Sequence, residues 1–272
     1  MANRNGTPIW FELNTPDAAA AADFYAAVTG WRVTPSPMAE HGGYRLASTA
    51  GGDAIAGIMT PPPQAPAHGG WSIYFAVDDV DAHAARIRAL GGSVSFGPMD
   101  IPHVGRFAVV ADPQGVVFFI MKGASPDDSQ AFRQSGSGDT MGHGVWIELA
   151  TPDPDAAFAF YGALFGWEKS GAMPMGPMGD YAFIGGTAAG PECAAGETTA
   201  PGAIMSSALT GAPPRWNWYV HVPDIDAAIA TTQNHGGTLL HGPNQVPGGD
   251  YTATIADPHG SQIGLVGPRQ ER

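Results

Sequence analysis

Trp10-Phe11-Glu12-Leu13-Asn14-Thr15-Pro16-Asp17 decides how this chain is read, because Trp146-Ile147-Glu148-Leu149-Ala150-Thr151-Pro152-Asp153 repeats it 136 residues later. The match runs on at the same displacement. Phe24-Tyr25 returns as Phe160-Tyr161, and Gly30-Trp31 returns as Gly166-Trp167. The spacing of a whole helix is therefore reproduced, which is the signature of a duplicated structural unit.

A second block repeats further on. Trp71-x-x-Tyr74-x-x-Val77-x-Asp79-x-Asp81-Ala82 returns as Trp216-x-x-Tyr219-x-x-Val222-x-Asp224-x-Asp226-Ala227, displaced by 145. Gly91-Gly92, Gly97-Pro98 and Ala111-Asp112-Pro113-x-Gly115 return as Gly236-Gly237, Gly242-Pro243 and Ala256-Asp257-Pro258-x-Gly260. The second copy thus carries about nine extra residues. They fall between Tyr181 and Met205, where Gly185 to Pro201 reads as a loop. Between the copies, Ser125 to Gly142 is polar and Gly/Ser-rich, which is linker chemistry. The domain boundaries follow: residues 7–123, a linker over 124–143, and residues 144–268.

Within each copy two shorter units alternate strand and helix. Thr15 is read as the N-cap, with Pro16 at the first helical position and Ala18 to Val28 running through helix formers to Gly30. Asp79 opens a second helix whose apolar face is Val80, Ala84, Ile87 and Leu90. Ile9 to Asn14 and Trp71 to Val77, rich in aromatic and β-branched residues, read as strands. Four βαβββ modules result, near residues 7–60, 70–122, 144–205 and 215–267.

A Thr-Pro-Asp turn, an Ala-rich helix holding Phe-Tyr, a closing Gly-Trp, then Val-x-Asp and Asp-Pro-x-Gly: over nearly the whole chain this resembles the vicinal-oxygen-chelate superfamily. That group includes glyoxalase I, bleomycin-resistance proteins and extradiol dioxygenases. The resemblance implies an α+β fold of two tandem glyoxalase-like domains, each pairing two modules into a half-open β-barrel. It also implies one divalent metal per site, held by one side chain from each of four strands. The corresponding positions here carry Trp10 and Trp146, Ser72 and Asn217, and Phe119 and Gly264, while Ile55 to Met59 lacks His, Glu and Asp. Indole and phenyl groups do not ligate a transition metal, and hydroxyl and amide groups do so poorly. No cofactor is expected on this reading, and a divalent metal in a shifted set including His221 is the alternative.

Strand alternation shows what else shares those interiors, since side chains two apart point the same way. Trp10 brings Glu12 and Asn14, and Ser72 brings Tyr74. In the second copy Trp146 brings Glu148, Asn217 brings Tyr219 and His221, and Gly264 brings Gln262. Glu12 and Glu148 are the leading candidates for chemistry, as general base or ligand anchor, against a structural hydrogen bond to tyrosine. His221 is the candidate acid–base partner of Glu148, against a structural role. Trp10, Asn14, Ser72, Tyr74, Phe119, Trp146, Asn217, Tyr219 and Gln262 are the ligand-binding candidates, against plain core packing.

Composition limits the partners. Hydrophobic residues at 44% against 14% charged allow a buried core, and Gly 38 with Pro 25 calls for many turns. A net charge of -13 without a basic run opposes nucleic acid. No apolar stretch reaches the roughly 20 residues of a membrane span. A polar N-terminus and the single Cys193 point to the cytoplasm, with a monomer or homodimer expected. The leading expectation is a protein that binds a small organic molecule in barrel clefts. An enzyme of the glyoxalase, lyase, isomerase or dioxygenase type using Glu12 or Glu148 is the first alternative, and a non-catalytic interaction protein the second.

Overall fold

In each Thr-Pro-Asp turn the aspartate, not the threonine, caps the helix. Asp17 is extended, and its carboxylate accepts from Ala19 N and Ala20 N at 3.0 Å each. The expected Thr15 cap is thereby corrected. Thr15 still belongs to the sheet, its amide donating to Met59 O, and its side chain is buried. Asp153 caps the equivalent helix, with Pro154 in the first turn. Both helices stop at a glycine in the left-handed region, Gly30 and Gly166, where a side chain would be strained.

The computed structural model describes residues 3–38, 42–61, 69–134, 138–186 and 200–270. The first module is β1 (Pro8–Asn14), α1 (Ala18–Thr29), β2 (Arg32–Pro35), β3 (Arg45–Ser48) and β4 (Ala54–Met59). The second is β5 (Gly70–Ala76), α2 (Val80–Ala89), β6 (Ser93–Ile101), β7 (Gly105–Ala111) and β8 (Val117–Gly123). The third is β9 (Gly144–Thr151), α3 (Pro154–Phe165), β10 (Trp167–Pro174), β11 (Asp180–Gly186) and β12 (Gly202–Ser206). A one-turn helix, α4 (Ser207–Thr210), leads to the fourth: β13 (Arg215–His221), α5 (Ile225–Asn234), β14 (Thr238–Gln245), β15 (Tyr251–Ala256) and β16 (Gln262–Gly267). Gly185 and Gly186, read as loop, extend β11; residues 187–199 of that stretch, with Cys193, lie outside the described residues.

Modules pair within each half of the chain. The strand order is β2-β3-β4-β1-β5-β8-β7-β6 in one sheet and β10-β11-β12-β9-β13-β16-β15-β14 in the other. Each is a mixed, eight-stranded sheet that does not close, with β1 antiparallel to β5 at the centre and β9 antiparallel to β13.

One face of both sheets builds a common core. Phe11, Leu13, Ile73 and Phe75 from the first sheet and Ile147, Leu149, Trp216 and Trp218 from the second belong to one buried cluster with the helices. Phe11 stacks on Trp218 with ring centroids 3.7 Å apart. The two halves also exchange hydrogen bonds reciprocally. Tyr25 on α1 donates to Asp257 Oδ2 at 3.1 Å, and Tyr161 on α3 donates to Asp112 Oδ2 at 3.2 Å. Each phenol in turn accepts an indole N–H, from Trp71 at 2.9 Å and from Trp216 at 3.1 Å. Each aspartate spends its other oxygen on its own turn, Asp112 on Gln114 N and Val116 N, Asp257 on His259 N and Ser261 N. The Phe-Tyr and Asp-Pro-x-Gly motifs of opposite copies are therefore two ends of one contact.

The connection between the sheets is tied to both. Ser129 Oγ donates to Ile9 O at 2.6 Å, Trp31 Nε1 donates to Gly142 O at 2.7 Å, and Phe132 bridges to Gly144.

Candidate functional site: two carboxylates held by tyrosines

With Phe11 and Leu13 of β1 turned into the shared core, Trp10, Glu12 and Asn14 face the opposite, outer side of the sheet. In register, Glu12 lies between Gly57 on β4 and Ser72 on β5, and Glu148 lies between Ala203 on β12 and Asn217 on β13. Each glutamate thus occupies the middle of its sheet.

In the first half Glu12 Oε2 accepts from Tyr44 at 3.0 Å, and Oε1 accepts from Tyr74 at 3.0 Å. Trp10 Nε1 donates to the Tyr44 hydroxyl at 2.9 Å. Asn14 adds a side-chain hydrogen bond to the same carboxylate. Gly57 makes this possible, because any Cβ there would overlap the Tyr44 phenol. The second half repeats the chain: Trp146 Nε1 to the Tyr181 hydroxyl at 2.7 Å, and Tyr181 to Glu148 Oε2 at 2.7 Å. Tyr219 reaches the same Oε2 at 3.3 Å. Glu148 Oε1 therefore has no hydrogen-bond partner among the described residues, whereas both oxygens of Glu12 are engaged.

Burial pushes the Glu12 and Glu148 carboxyls up from their ordinary value, and the phenols, by donating to the carboxylate, pull part of the way back. Burial beside these carboxylates also pushes the Tyr44, Tyr74, Tyr181 and Tyr219 hydroxyls up, so they are donors at neutral pH.

Around this shared motif the two halves differ. In the first, Tyr74, Phe107, Val109, Phe119 and Met121 form a separate buried cluster, with Trp10 and Val117 against it. Phe119 packs on Tyr74 at 4.5 Å between centroids. At the 145-residue displacement these positions become Tyr219, Thr252, Thr254, Gly264 and Val266, and Val117 becomes Gln262. The ring of Tyr219 lies over Gly264, where a Cβ would overlap it. Gly70 becomes Arg215, whose guanidinium donates to Gln262 Oε1. Tyr219 is further bonded by Thr254 and Asn217. The apolar floor of the first cleft is thus replaced by amide, hydroxyl and guanidinium groups in the second.

His221 goes elsewhere. Asn217 stands opposite Glu148, and His221 is four residues farther along the strand, roughly 13 Å at about 3.3 Å per residue. Its Nδ1 hydrogen-bonds Thr140 Oγ1 at 2.7 Å, and burial pulls its imidazole down. The structure does not bring the expected Glu148–His221 pair together; Arg215 is the cation whose charge acts on Glu148. Sequence reading also missed Tyr44, Tyr181 and Arg215. The two tyrosines were marked by Gly42-x-Tyr44 and Gly179-x-Tyr181, a repeat displaced by 137.

As a metal cage this donor set fails. The central strands of the second half offer one carboxylate, neutral phenols, amides and an indole, and among the described residues no three His, Cys, Asp or Glu side chains are grouped so as to hold an ion.

Two tandem sheets of this topology, each with a tyrosine-held glutamate at the centre of its outer face, match a known family. The model of the Glyoxalase/Bleomycin resistance protein/Dioxygenase superfamily fits residues 8–120 and 144–265. The chain belongs to that superfamily. Among similar superfamily proteins, "Putative glyoxylase CFP32" of Mycobacterium tuberculosis is 32% identical over 99% of this chain and 97% of its own. The "Anthracycline biosynthesis protein DnrV" of Streptomyces peucetius is 33% identical over 97% of this chain and 94% of its own. The Mn(II)-bound glyoxalase from Novosphingobium aromaticivorans shares the fold at a TM-score of 0.60 and 18% identity, covering 99% of this chain and 84% of that one. An extradiol ring-cleaving dioxygenase from B. fuscum does so at 0.65 and 15%, covering 100% and 73%.

Proposed function

We propose that this superfamily member binds a small organic molecule in its outer-face clefts, without a divalent metal. The observation that carries the reading is the repeated indole–phenol–carboxyl chain, Trp10–Tyr44–Glu12 and Trp146–Tyr181–Glu148. It presents flat aromatic walls beside a fixed polar anchor, the usual make-up of a small-molecule site. A relative named for anthracycline biosynthesis supports a planar ligand. A single cysteine in 272 residues suits a cytoplasmic setting, and the net charge of -13 disfavours nucleic acid; we place the protein there as a monomer or homodimer.

The test is calorimetry of EDTA-stripped protein against planar aromatic probes, followed by added Mn(II) or Zn(II). Binding that is unchanged by either treatment is expected. Binding that appears only with the metal overturns the reading.

A second reading is favoured by the upward-shifted Glu148 carboxyl with its unpartnered Oε1. A carboxyl brought toward neutrality is suited to proton transfer, which would make the protein an acid–base enzyme of the lyase or isomerase type. Turnover of aldehyde–thiol adducts that disappears in Glu148→Gln would support it, and no turnover by the intact protein would remove it.

A further inference from the structure

The two copies keep one indole–phenol–carboxyl chain and differ in the side chains below it. Their outer-face anchor is the same, yet every apolar group on the floor of the first cleft has a smaller or more polar counterpart in the second. Phe107, Val109, Val117 and Phe119 stand where Thr252, Thr254, Gln262 and Gly264 stand. Tyr74 and Phe119 are 4% and 5% exposed, so the first cleft is packed with its own side chains. In the second, Gly264 stands in place of Phe119 with the Tyr219 ring over it, and Arg215 adds a cation.

Arg215 is the telling residue. Arg106, Arg133 and Arg269 are each within 3.2 Å of an aspartate oxygen. Arg215 has no carboxylate within salt-bridge reach among the described residues, and its contact is the neutral amide oxygen of Gln262. Burial pulls its guanidinium down, and the charge of Glu148, beyond salt-bridge distance, pulls it only part of the way back, so no carboxylate is in direct contact with it among the described residues. An anionic oxygen delivered by a ligand would supply that contact in the planar, two-pronged geometry guanidinium favours. Beside it, Glu148 Oε1 is unpartnered and Asn217, 8% exposed, offers an amide. The overall charge of -13 is a weak obstacle, since it is screened beyond about 8 Å at physiological salt.

We propose that the second cleft alone is the ligand site, and that it takes a planar aromatic molecule bearing an acidic oxygen, a carboxylate or acidic phenol, seated on Arg215 with its ring against Trp146 and Tyr181. This rests on the reading of the clefts as small-molecule sites, and the test separates the two claims. The probes are 2-naphthoate and 2-naphthamide, equal in shape and different in charge, titrated calorimetrically into the intact protein. Naphthoate is expected to bind at least tenfold more tightly than the amide. Arg215→Gln abolishes that preference, and Arg215→Lys keeps part of it. Should Arg215→Gln unfold, Gln262→Leu, which removes the acceptor that aims the guanidinium, is expected to reduce the preference. Equal affinities for the two probes, or a preference that survives Arg215→Gln, overturn the anionic assignment and leave small-molecule binding standing. No binding of either probe overturns both.

Discussion

Tyr181→Phe isolates what the phenol does for Glu148. The substitution removes the 2.7 Å donor to Oε2 and leaves Tyr219, at 3.3 Å, as the remaining phenol. A hydrogen bond to a charged group contributes about 1.5–3 kcal/mol, and it acts on the carboxylate far more than on the neutral acid. At about 1.4 kcal/mol per tenfold, the proton affinity of Glu148 should rise by about ten- to a hundredfold. Its carboxyl already stands above its ordinary value of 4.5 because of burial. The folded protein therefore holds this proton when the unfolded chain has released it. Stability from this group is fully present below about pH 4.5 and is lost as pH rises through the folded-state value. In Tyr181→Phe that loss extends to higher pH. Urea midpoints measured from pH 4 to 8, with carbon-13 detection of the glutamate carboxyls, read both effects. A Glu148 titration that is unmoved, or moved to lower pH, would refute the role given to Tyr181.

Tyr161→Phe and Tyr25→Phe each strand an indole N–H and an aspartate oxygen at the contact between halves, and each should cost about 2–4 kcal/mol in urea unfolding. Similar losses from the two are expected because the contacts are reciprocal; a near-neutral result for either would show that its phenol is not the link. Gly264→Ala forces the Tyr219 ring off its seat, with an expected loss of about 1–3 kcal/mol and weaker 2-naphthoate binding. Wild-type stability together with wild-type affinity would mean that the ring does not need that space.

Much of this molecule was legible because duplication prints the same pattern twice. Displacements of 136 and 145 located four modules, and strand alternation put Trp10, Glu12 and Asn14 on one face and Phe11 and Leu13 on the other. Three things were hidden, for physical reasons. Thr15 looked like a cap because threonine often is one, but the sheet claims its backbone and leaves the task to Asp17. Tyr44 lies just before β3 and Tyr181 on β11, whose short apolar patterns carry little periodicity, and their displacement of 137 falls between the two main ones. Arg215 was hidden by the comparison itself, since matching copies draws the eye to what they share, whereas Arg215 stands opposite a glycine. The stacking of Phe11 on Trp218 is a contact between distant segments that no local pattern announces.

The most direct test is the nitrogen-15 NMR spectrum of the tryptophan indoles during titration with 2-naphthoate. The Trp146 Nε1–H signal, from the group that donates to Tyr181, should shift on binding while that of Trp10 stays in place. A shift at Trp10 alone, or at neither, would contradict the assignment of the second cleft as the site.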